Sequence, residues 1–172
     1  MKIKDMPEDC LLTNSGLLIN VFEPTEDMIC IEDIAHGLSN QCRFAGHIKR
    51  YYSVAQHSVL CMRMATKDNK LAALLHDGTE AMICDLPSPV KRRMPEYKKM
   101  EDKLMIAIAK KFNFEYPFDK EIKIIDMEML QIEWDNLVET NDKDFICWSP
   151  AKAKRIFLKE YHKLQEALEL AV

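Results

Sequence analysis

An apolar run that ends in ionisable residues constrains the fold of this chain more than any other feature. Residues 71 to 81 read LAALLHDGTEA, so five mostly apolar residues lead directly into His76 and Asp77. Glu80 follows three residues after Asp77. Side chains three and four residues apart share a face of a helix, so these three groups fall within one arc of roughly 100°. We expect them to be half-buried and to hold something that offsets their charge.

The composition and the distribution of caps and prolines favour helices. Only 4 of the 172 residues are Gly, whereas Met, Leu, Ala, Lys and Glu are plentiful. A hydrophobic content of 48% is sufficient for one core in a chain of this length. The sequence therefore predicts an all-α fold, a single compact helical bundle over residues 1–172 with a short N-terminal β-hairpin. The predicted hairpin lies within residues 10–20, and the predicted helices span residues 31–38, 54–66, 70–84, 95–112, 119–139 and 150–171.

Charge and cysteine content argue against several classes of protein. A net charge of −4 argues against a protein that coats nucleic acid. The first nine residues are polar and charged, unlike a signal peptide, and no apolar run approaches membrane-spanning length. The six Cys include no CxxC pair, so a zinc ribbon has no support. Scattered Cys predict free thiols in a reducing compartment, and we expect a cytoplasmic protein without a membrane partner.

Two further ionisable residues are predicted to point inward. His57 lies on the helix before the apolar run, and its same-face neighbours are apolar. Asp126 shares a helix face with Ile122, Met129 and Leu130. A carboxylate on such a face is costly unless a positive group meets it, and the spacing assigns no Lys or Arg to it.

One divalent metal ion would satisfy these residues together. Two imidazoles and two carboxylates form a donor set that suits Mn, Fe, Co, Ni or Zn better than Ca or Mg and leaves room for water. Taken singly, each residue also fits a structural role, such as a core histidine bound to a backbone carbonyl or a solvated acid. The combination favours a metal site formed by His57, His76, Asp77 and Asp126.

These segments resemble the signature of the HD-domain phosphohydrolases, in which a His, a His-Asp pair and an Asp stand on separate helices. The segments that carry the resemblance are SVAQHS, LLHDGTEA, DLPSPVK and IIDMEM. The pattern is most similar to the 5′-deoxynucleotidase branch and also resembles the related small phage enzymes that remove triphosphate from dATP. The resemblance covers about residues 32–137, so the C-terminal helix from about residue 150 lies outside it.

The resemblance implies catalytic roles for two carboxylates. Glu80 would activate the attacking water or protonate the leaving oxygen, and Asp85 would orient that water. Without the resemblance, Glu80 would be an ordinary helix-surface residue and Asp85 a turn or cap residue before the proline-rich segment. A second divalent ion arriving with the substrate is also compatible with this pattern.

The resemblance also implies a substrate site. Arg43 and Lys91 match phosphate-contacting positions, and a bidentate Arg suits a phosphate. Phe44, Pro87 and Pro89 would lie against the nucleoside, although the nucleotidase branch usually has Trp at the position of Phe44. Related enzymes assemble as dimers or larger oligomers, so we expect a homo-oligomer.

The sequence leaves the reaction open between alternatives. The first is removal of phosphate from a deoxynucleoside 5′-monophosphate. The second is cleavage of a dNTP with release of triphosphate, which the basic segment from Lys91 to Arg93 favours. A third, from another class, is a non-catalytic helical binding module that keeps its metal for stability.

Overall fold

The chain folds into a helical bundle with one small β-hairpin at its N-terminal end. The computed structural model describes residues 3–170. Within them, the strands are β1 (Cys10–Leu12) and β2 (Leu18–Asn20), and the α-helices are α1 (Ile31–Asn40), α2 (Val54–Met64), α3 (Lys70–Leu75), α4 (Glu80–Ile83), α5 (Ser88–Lys91), α6 (Pro95–Phe112), α7 (Lys120–Glu133) and α8 (Pro150–Glu169). A π-helix over Trp134–Glu139 continues α7. The predicted all-α class with an N-terminal hairpin is confirmed.

Helix boundaries follow the capping residues of the sequence. The Ser53 side chain accepts a hydrogen bond from the Gln56 backbone N–H and starts α2, and Ser149 caps α8 in the same way. Helix α6 begins at Pro95 and ends at Phe112, as predicted. Residue 171, where the last helix was predicted to end, lies outside the described residues.

Helix α2 lies at the centre of the bundle. It packs against α1, α3, α7 and α8, so its side chains are buried nearly all round. His57 lies in the middle of this helix and is completely buried. A central helix surrounded on all sides therefore carries the first predicted site residue into the interior.

The predicted continuous helix over residues 70–84 is wrong. The structure ends α3 at Leu75 and begins α4 at Glu80, with a turn between them. In that turn the Gly78 N–H donates to the Leu75 carbonyl at 2.9 Å, a tighter spacing than in an α-helix. A Cβ on Gly78 would lie 2.9 Å from the Leu75 carbonyl oxygen and 3.4 Å from Ile108. The helix is therefore interrupted at the ionisable residues by a tight turn in which Gly78 has little room for a side chain.

A buried carboxylate attaches the hairpin to the bundle. Asp33 in α1 accepts hydrogen bonds from the Ser15 N–H at 2.8 Å, the Ser15 hydroxyl at 2.6 Å and the Cys30 thiol at 3.0 Å. Burial alone raises the pKa of Asp33, but these hydrogen bonds outweigh burial and hold the pKa below its ordinary value of 3.8.

We expect Asp33→Asn to lower the free energy of unfolding by about 2 kcal/mol at neutral pH, because hydrogen bonds to a charged acceptor are replaced by weaker ones. The folded-state pKa is lowered, so the stabilisation is present above pH 3.8 and is lost as the pH falls through the folded pKa. Urea unfolding at neutral and acidic pH measures both effects. The exposed Glu32 in the same helical turn provides the control Glu32→Gln, which should change stability little at either pH.

Among the helices within residues 3–170, none is both long enough and apolar enough to cross a membrane.

Candidate metal centre

Four side-chain donor atoms from three parts of the fold face one another. His57 Nε2 lies 3.7 Å from Asp77 Oδ2 and 3.4 Å from Asp126 Oδ1. His76 Nε2 lies 3.3 Å from Asp77 Oδ2 and 3.9 Å from Asp126 Oδ1. Ligands bound about 2.1 Å from one ion lie about 3.0 Å apart at right angles and about 4.2 Å apart on opposite sides. The packing of α2, the 76–79 turn and α7 thus brings each imidazole Nε2 within 3.3–3.9 Å of an oxygen of both carboxylates, and ligands of one ion show such separations.

Both histidines present Nε2 toward this point because Nδ1 of each ring is already bonded. His57 Nδ1 contacts Glu133 Oε1 at 2.6 Å, and His76 Nδ1 lies 2.8 Å from the Ala73 carbonyl oxygen. A carbonyl only accepts, so His76 Nδ1 carries a proton, and Nε2 is the nitrogen that holds the lone pair when the ring is neutral. The His76 Nε2 atom is buried and lacks a hydrogen-bond partner within the described part of the chain. A buried unpartnered acceptor beside two carboxylates fits a cation ligand.

The electrostatics of the cluster also favour a cation. Burial alone raises the pKa of both Asp77 and Asp126, but the neighbouring His57 and His76 outweigh burial and hold both pKa values below the usual range. Burial and Arg43 oppose protonation of His57, yet its carboxylate neighbours raise its pKa well above the ordinary value. The carboxylates therefore favour a positive charge at this point, whether a metal ion or a proton on His57.

Exposed Lys123 is a partner that the sequence spacing did not assign to Asp126. Its Nζ lies 3.0 Å from Asp126 Oδ2, while Oδ1 faces the histidines. The expectation that no Lys or Arg meets this carboxylate is therefore wrong for one of its oxygens. Lys123 lies one helical turn before Asp126, and its side chain is 73% exposed, so the inward oxygen still lacks a buried cation of its own.

Glu133 is the main residue that sequence reasoning missed. It is completely buried and accepts hydrogen bonds from the Tyr52 hydroxyl at 2.8 Å and from Arg43 Nε at 2.8 Å, in addition to its contact with His57. Burial raises the pKa of Glu133, but His57 and Arg43 outweigh burial and lower it. Carboxylates that bond the second nitrogen of a ligating histidine orient that ring. The available signal was its spacing of seven residues from Asp126, which places both acids on one face of α7.

We expect Glu133→Gln to weaken metal binding by roughly 10–100-fold, because the His57 ring loses the carboxylate that fixes its orientation. Competition with a metal-sensitive dye measures this affinity. The exposed Glu128 on the same helix gives the matched control Glu128→Gln, which should bind metal as the unmodified protein does. Equal affinities for both variants would show that Glu133 has no influence on the metal centre.

Arg43 lies beside the metal centre, not at the protein surface. Its guanidinium contacts Glu133 through Nε and lies 3.8 Å from Asp77 Oδ2 through Nη1, and its side chain is only 11% exposed. Burial lowers the pKa of Arg43, but Glu133 and Asp77 outweigh burial and raise it, so this group is a fixed positive charge. Next to it, Phe44 has a positive φ of 56° and packs against Trp134 with ring centroids 6.3 Å apart.

Glu80 is buried three residues after Asp77, with a lysine beside it. The prediction that the three ionisable groups are half-buried holds for His76 and Asp77, whereas Glu80 is buried and only 5% exposed. Lys91 Nζ lies 3.8 Å from Glu80 Oε1 and also pairs with Glu101. Burial, together with Asp77, raises the pKa of Glu80 well above its ordinary value. Glu80 can therefore hold a proton at a pH where an exposed glutamate is ionised.

The backbone around Glu80 is held from α1 and from the loop that follows it. The Gln41 side-chain amide donates to the Glu80 carbonyl, and its oxygen accepts from the Asp85 N–H at 2.9 Å. A Cβ on Gly37 would lie 2.8 Å from the Cβ of Ala81, so α1 and α4 are in backbone contact. Burial also raises the pKa of Asp85, against the influence of Arg43.

The remaining predicted substrate residues lie in and beside α5. Pro87 and Pro89 are exposed and lie at the start of α5, which ends at Lys91. Arg92 and Arg93 follow directly and are exposed. Lys91 is therefore the member of this segment that reaches the buried carboxylates.

Cys61 adds a sulfur atom to the cluster. It lies one turn after His57 on α2 and is 1% exposed, and its Sγ is 3.4 Å from His57 Nε2. Potential ligand atoms of His57, Cys61 and His76 lie within 4.8 Å of one another. Sequence reasoning placed Cys61 on this face only as an apolar neighbour. The group as a whole is able to hold a metal ion.

Comparison with known proteins places the chain in a family. No protein-family model matches the sequence. The chain is 36% identical over 160 residues to the uncharacterized protein YfdR of Escherichia coli (strain K12). This alignment covers 85% of this chain and 90% of YfdR. It is 33% identical over 159 residues to an uncharacterized protein of Rhodobacter capsulatus. That alignment covers 84% of this chain and 77% of the other protein. The chain belongs to the family that includes YfdR.

Proposed function

We propose that this chain is a metal-dependent phosphohydrolase of the HD-domain type that acts on deoxynucleotides and releases phosphate from deoxynucleoside 5′-monophosphates. The observation that carries the proposal is the convergence of two imidazole Nε2 atoms and two carboxylate oxygens, with N···O distances of 3.3–3.9 Å. Arg43 lies 3.8 Å from the Asp77 carboxylate, and the buried Glu80, three residues after Asp77, pairs with Lys91. Metal ligands, a proton-transfer group and phosphate-binding cations are the parts that phosphoester hydrolysis requires.

The metal donors would be His57, His76, Asp77 and Asp126, which suit Mn, Fe, Co, Ni or Zn. A divalent ion held there supplies a Lewis acid that offsets phosphate charge and lowers the pKa of water. Both the identity of the ion and the arrival of a second ion with the substrate are part of the proposal.

The surrounding side chains divide the remaining chemistry between them. The oxygen of water forms a bond to phosphorus while the bond from phosphorus to the 5′ oxygen breaks. Glu80 takes the proton of the attacking water and returns a proton to the 5′ oxygen of the leaving nucleoside. Asp85 orients the water beside Glu80. The products are a nucleoside and inorganic phosphate.

Two cations, one aromatic ring and two prolines would bind the substrate. Arg43 and Lys91 offset the charge that develops on the phosphoryl oxygens in the transition state. Phe44 supplies an aromatic face for the nucleoside, together with Pro87 and Pro89 at the start of α5. Since Glu133 already bonds Arg43 through Nε, the guanidinium is positioned before substrate arrives.

A second candidate is a dNTP triphosphohydrolase, in which water attacks the α-phosphorus and triphosphate leaves. The observation that favours it is the position of Arg92 and Arg93, which are exposed and directly follow the lysine that contacts Glu80. These cations would bind the outer phosphates. A variant with Arg92→Ala and Arg93→Ala should then raise the KM for a dNTP and leave the turnover of a dNMP unchanged.

Product analysis tests the proposal and separates the candidates. Metal-stripped protein is reloaded separately with Mn, Co or Zn and incubated with panels of dNMPs, dNTPs and ribonucleotides. Ion-pair chromatography then separates the products. Phosphate and nucleoside from a dNMP support the nucleotidase, and triphosphate and nucleoside from a dNTP support the triphosphohydrolase. If no metal yields turnover of any nucleotide, the enzyme proposal fails and a metal-stabilised binding module replaces it.

A further inference from the structure

We infer that Cys61 is an additional ligand of the metal centre and that it biases the site toward thiophilic ions, zinc above all. The inference rests on the metal site of the proposed function but does not depend on the reaction. It starts from a buried nucleophilic side chain that the proposed chemistry leaves unused. Cys61 Sγ lies 3.4 Å from His57 Nε2 and 4.0 Å from Nδ1, so the sulfur is nearer the nitrogen that faces the carboxylates.

The distance between sulfur and nitrogen fits shared coordination. Metal–sulfur bonds of about 2.3 Å and metal–nitrogen bonds of about 2.1 Å place the two ligand atoms about 3.1 to 3.6 Å apart, for angles between a right angle and a tetrahedral one. The observed separation of 3.4 Å falls inside that interval. Coordination would replace the S–H bond by a metal–sulfur bond, and the proton would leave to solvent.

The hydrogen-bond pattern around the two histidines supports the same conclusion. His57 Nδ1 is bonded to Glu133, so Nε2 is the ring nitrogen that remains to face both the Cys61 sulfur and an ion. His76 Nε2 is buried and has no such donor among residues 3–170. Ligand atoms of Cys61, His57 and His76 lie within 4.8 Å of one another, and the unpartnered nitrogen of His76 indicates that a cation belongs beside them.

The chemical type of the ligand atoms determines which ions the site binds more tightly. Imidazole and carboxylate ligands accept manganese and zinc alike, whereas a thiolate ligand selects softer ions such as zinc. If sulfur coordinates, loss of Cys61 should weaken zinc binding and leave manganese binding nearly unchanged. A thiol that only packs against the imidazole would show no such difference between the two metals.

Cobalt(II) provides a direct readout, because a cobalt–thiolate bond gives a charge-transfer absorption in the near ultraviolet that nitrogen and oxygen ligands do not give. Stripped protein is titrated with Co(II), and the spectra of the unmodified chain, Cys61→Ser and Cys10→Ser are compared. Cys10 lies in β1, far along the chain from the cluster, and serves as the matched control. Cys61→Ala is a second variant in case serine disturbs the buried position. Circular dichroism checks that both variants keep the helical fold.

The expected result is a charge-transfer band in the unmodified chain and in Cys10→Ser that is absent from both Cys61 variants, although these still bind cobalt. Zinc affinity should fall by about 100-fold on loss of Cys61, at least as much as loss of an outer partner of a metal site causes. Manganese affinity should change little.

Two outcomes would overturn the inference and leave the proposed function intact. One is cobalt binding without the band in the unmodified chain, and the other is a band that persists in the Cys61 variants. If no metal binds the unmodified chain, the inference and the proposed metal-dependent function fail together.

Discussion

Replacing Asp77 by Ala is expected to empty the metal centre and to lower hydrolysis of the preferred deoxynucleotide by about 1,000-fold or more, since a catalytic metal supplies several kcal/mol of transition-state stabilisation. The Asp77 carboxylate faces both His57 Nε2 and His76 Nε2, so its loss removes a negative charge from the middle of the donor set. Elemental analysis of purified protein measures the bound ion, and the product assay measures turnover.

A thermal measurement separates metal loss from misfolding. Added zinc or manganese should raise the Tm of the unmodified chain, because a ligand that binds only the folded state stabilises it, and should not raise the Tm of the variant. Asp68→Ala, an exposed acid in the turn before α3, is the matched control and should keep its ion. If Asp77→Ala retained both the ion and turnover, Asp77 would have no part in the metal centre.

Glu80→Gln is expected to lower turnover by about 100- to 10,000-fold with the metal content unchanged, because an amide cannot accept the proton of the attacking water. Glu80 and Gln have nearly the same shape, and Lys91 keeps its second partner Glu101, so the fold should persist. Turnover of the preferred nucleotide and elemental analysis of the same preparation are the two measurements.

Glu96→Gln gives the comparison for this variant, since Glu96 lies at the start of α6 with its side chain 82% exposed. It should behave as the unmodified chain does. Unchanged turnover of Glu80→Gln would remove Glu80 from the chemistry, and a parallel loss of bound metal would indicate that Glu80 supports the metal centre.

Much of the helical architecture was predictable because its signals are local. Ser53 caps α2, Pro95 begins α6, and Ser149 with Pro150 begins α8, as the sequence indicated. Each of these signals acts within one or two helical turns of its own residue. Capping and proline geometry therefore operate before any tertiary contact forms.

The turn at Gly78 was not predictable from the same rules. The ionisable residues continue the helical spacing of the apolar run, and the residues themselves carry no strong break signal apart from Gly78 and Thr79. In the folded chain a side chain at position 78 would lie 2.9 Å from the Leu75 carbonyl oxygen, and Ile108 of α6 packs on the same turn at ordinary contact distance. Propensity is a weak prior, and packing between distant segments overrides it.

The residues of the candidate site also fall into two groups, those that the sequence identifies and those that only the packing of the helices reveals. Helical spacing selected His57, His76, Asp77 and Asp126 as inward-facing acids and imidazoles, because an unusual residue on an apolar face is visible in the sequence alone. The resemblance to the HD-domain enzymes added Arg43 and Lys91 as phosphate contacts, a role that remains a prediction.

Only the tertiary structure revealed Glu133 and Cys61 as members of the site. Glu133 lies 76 residues from His57 along the chain and reaches Nδ1 because α7 packs on α2. Cys61 shares a helix with His57, but a cysteine on an apolar face is ordinary core material until a second histidine and two carboxylates are placed around it. Sequence periodicity determines which face of a helix is buried, whereas the packing of the helices determines which buried groups meet.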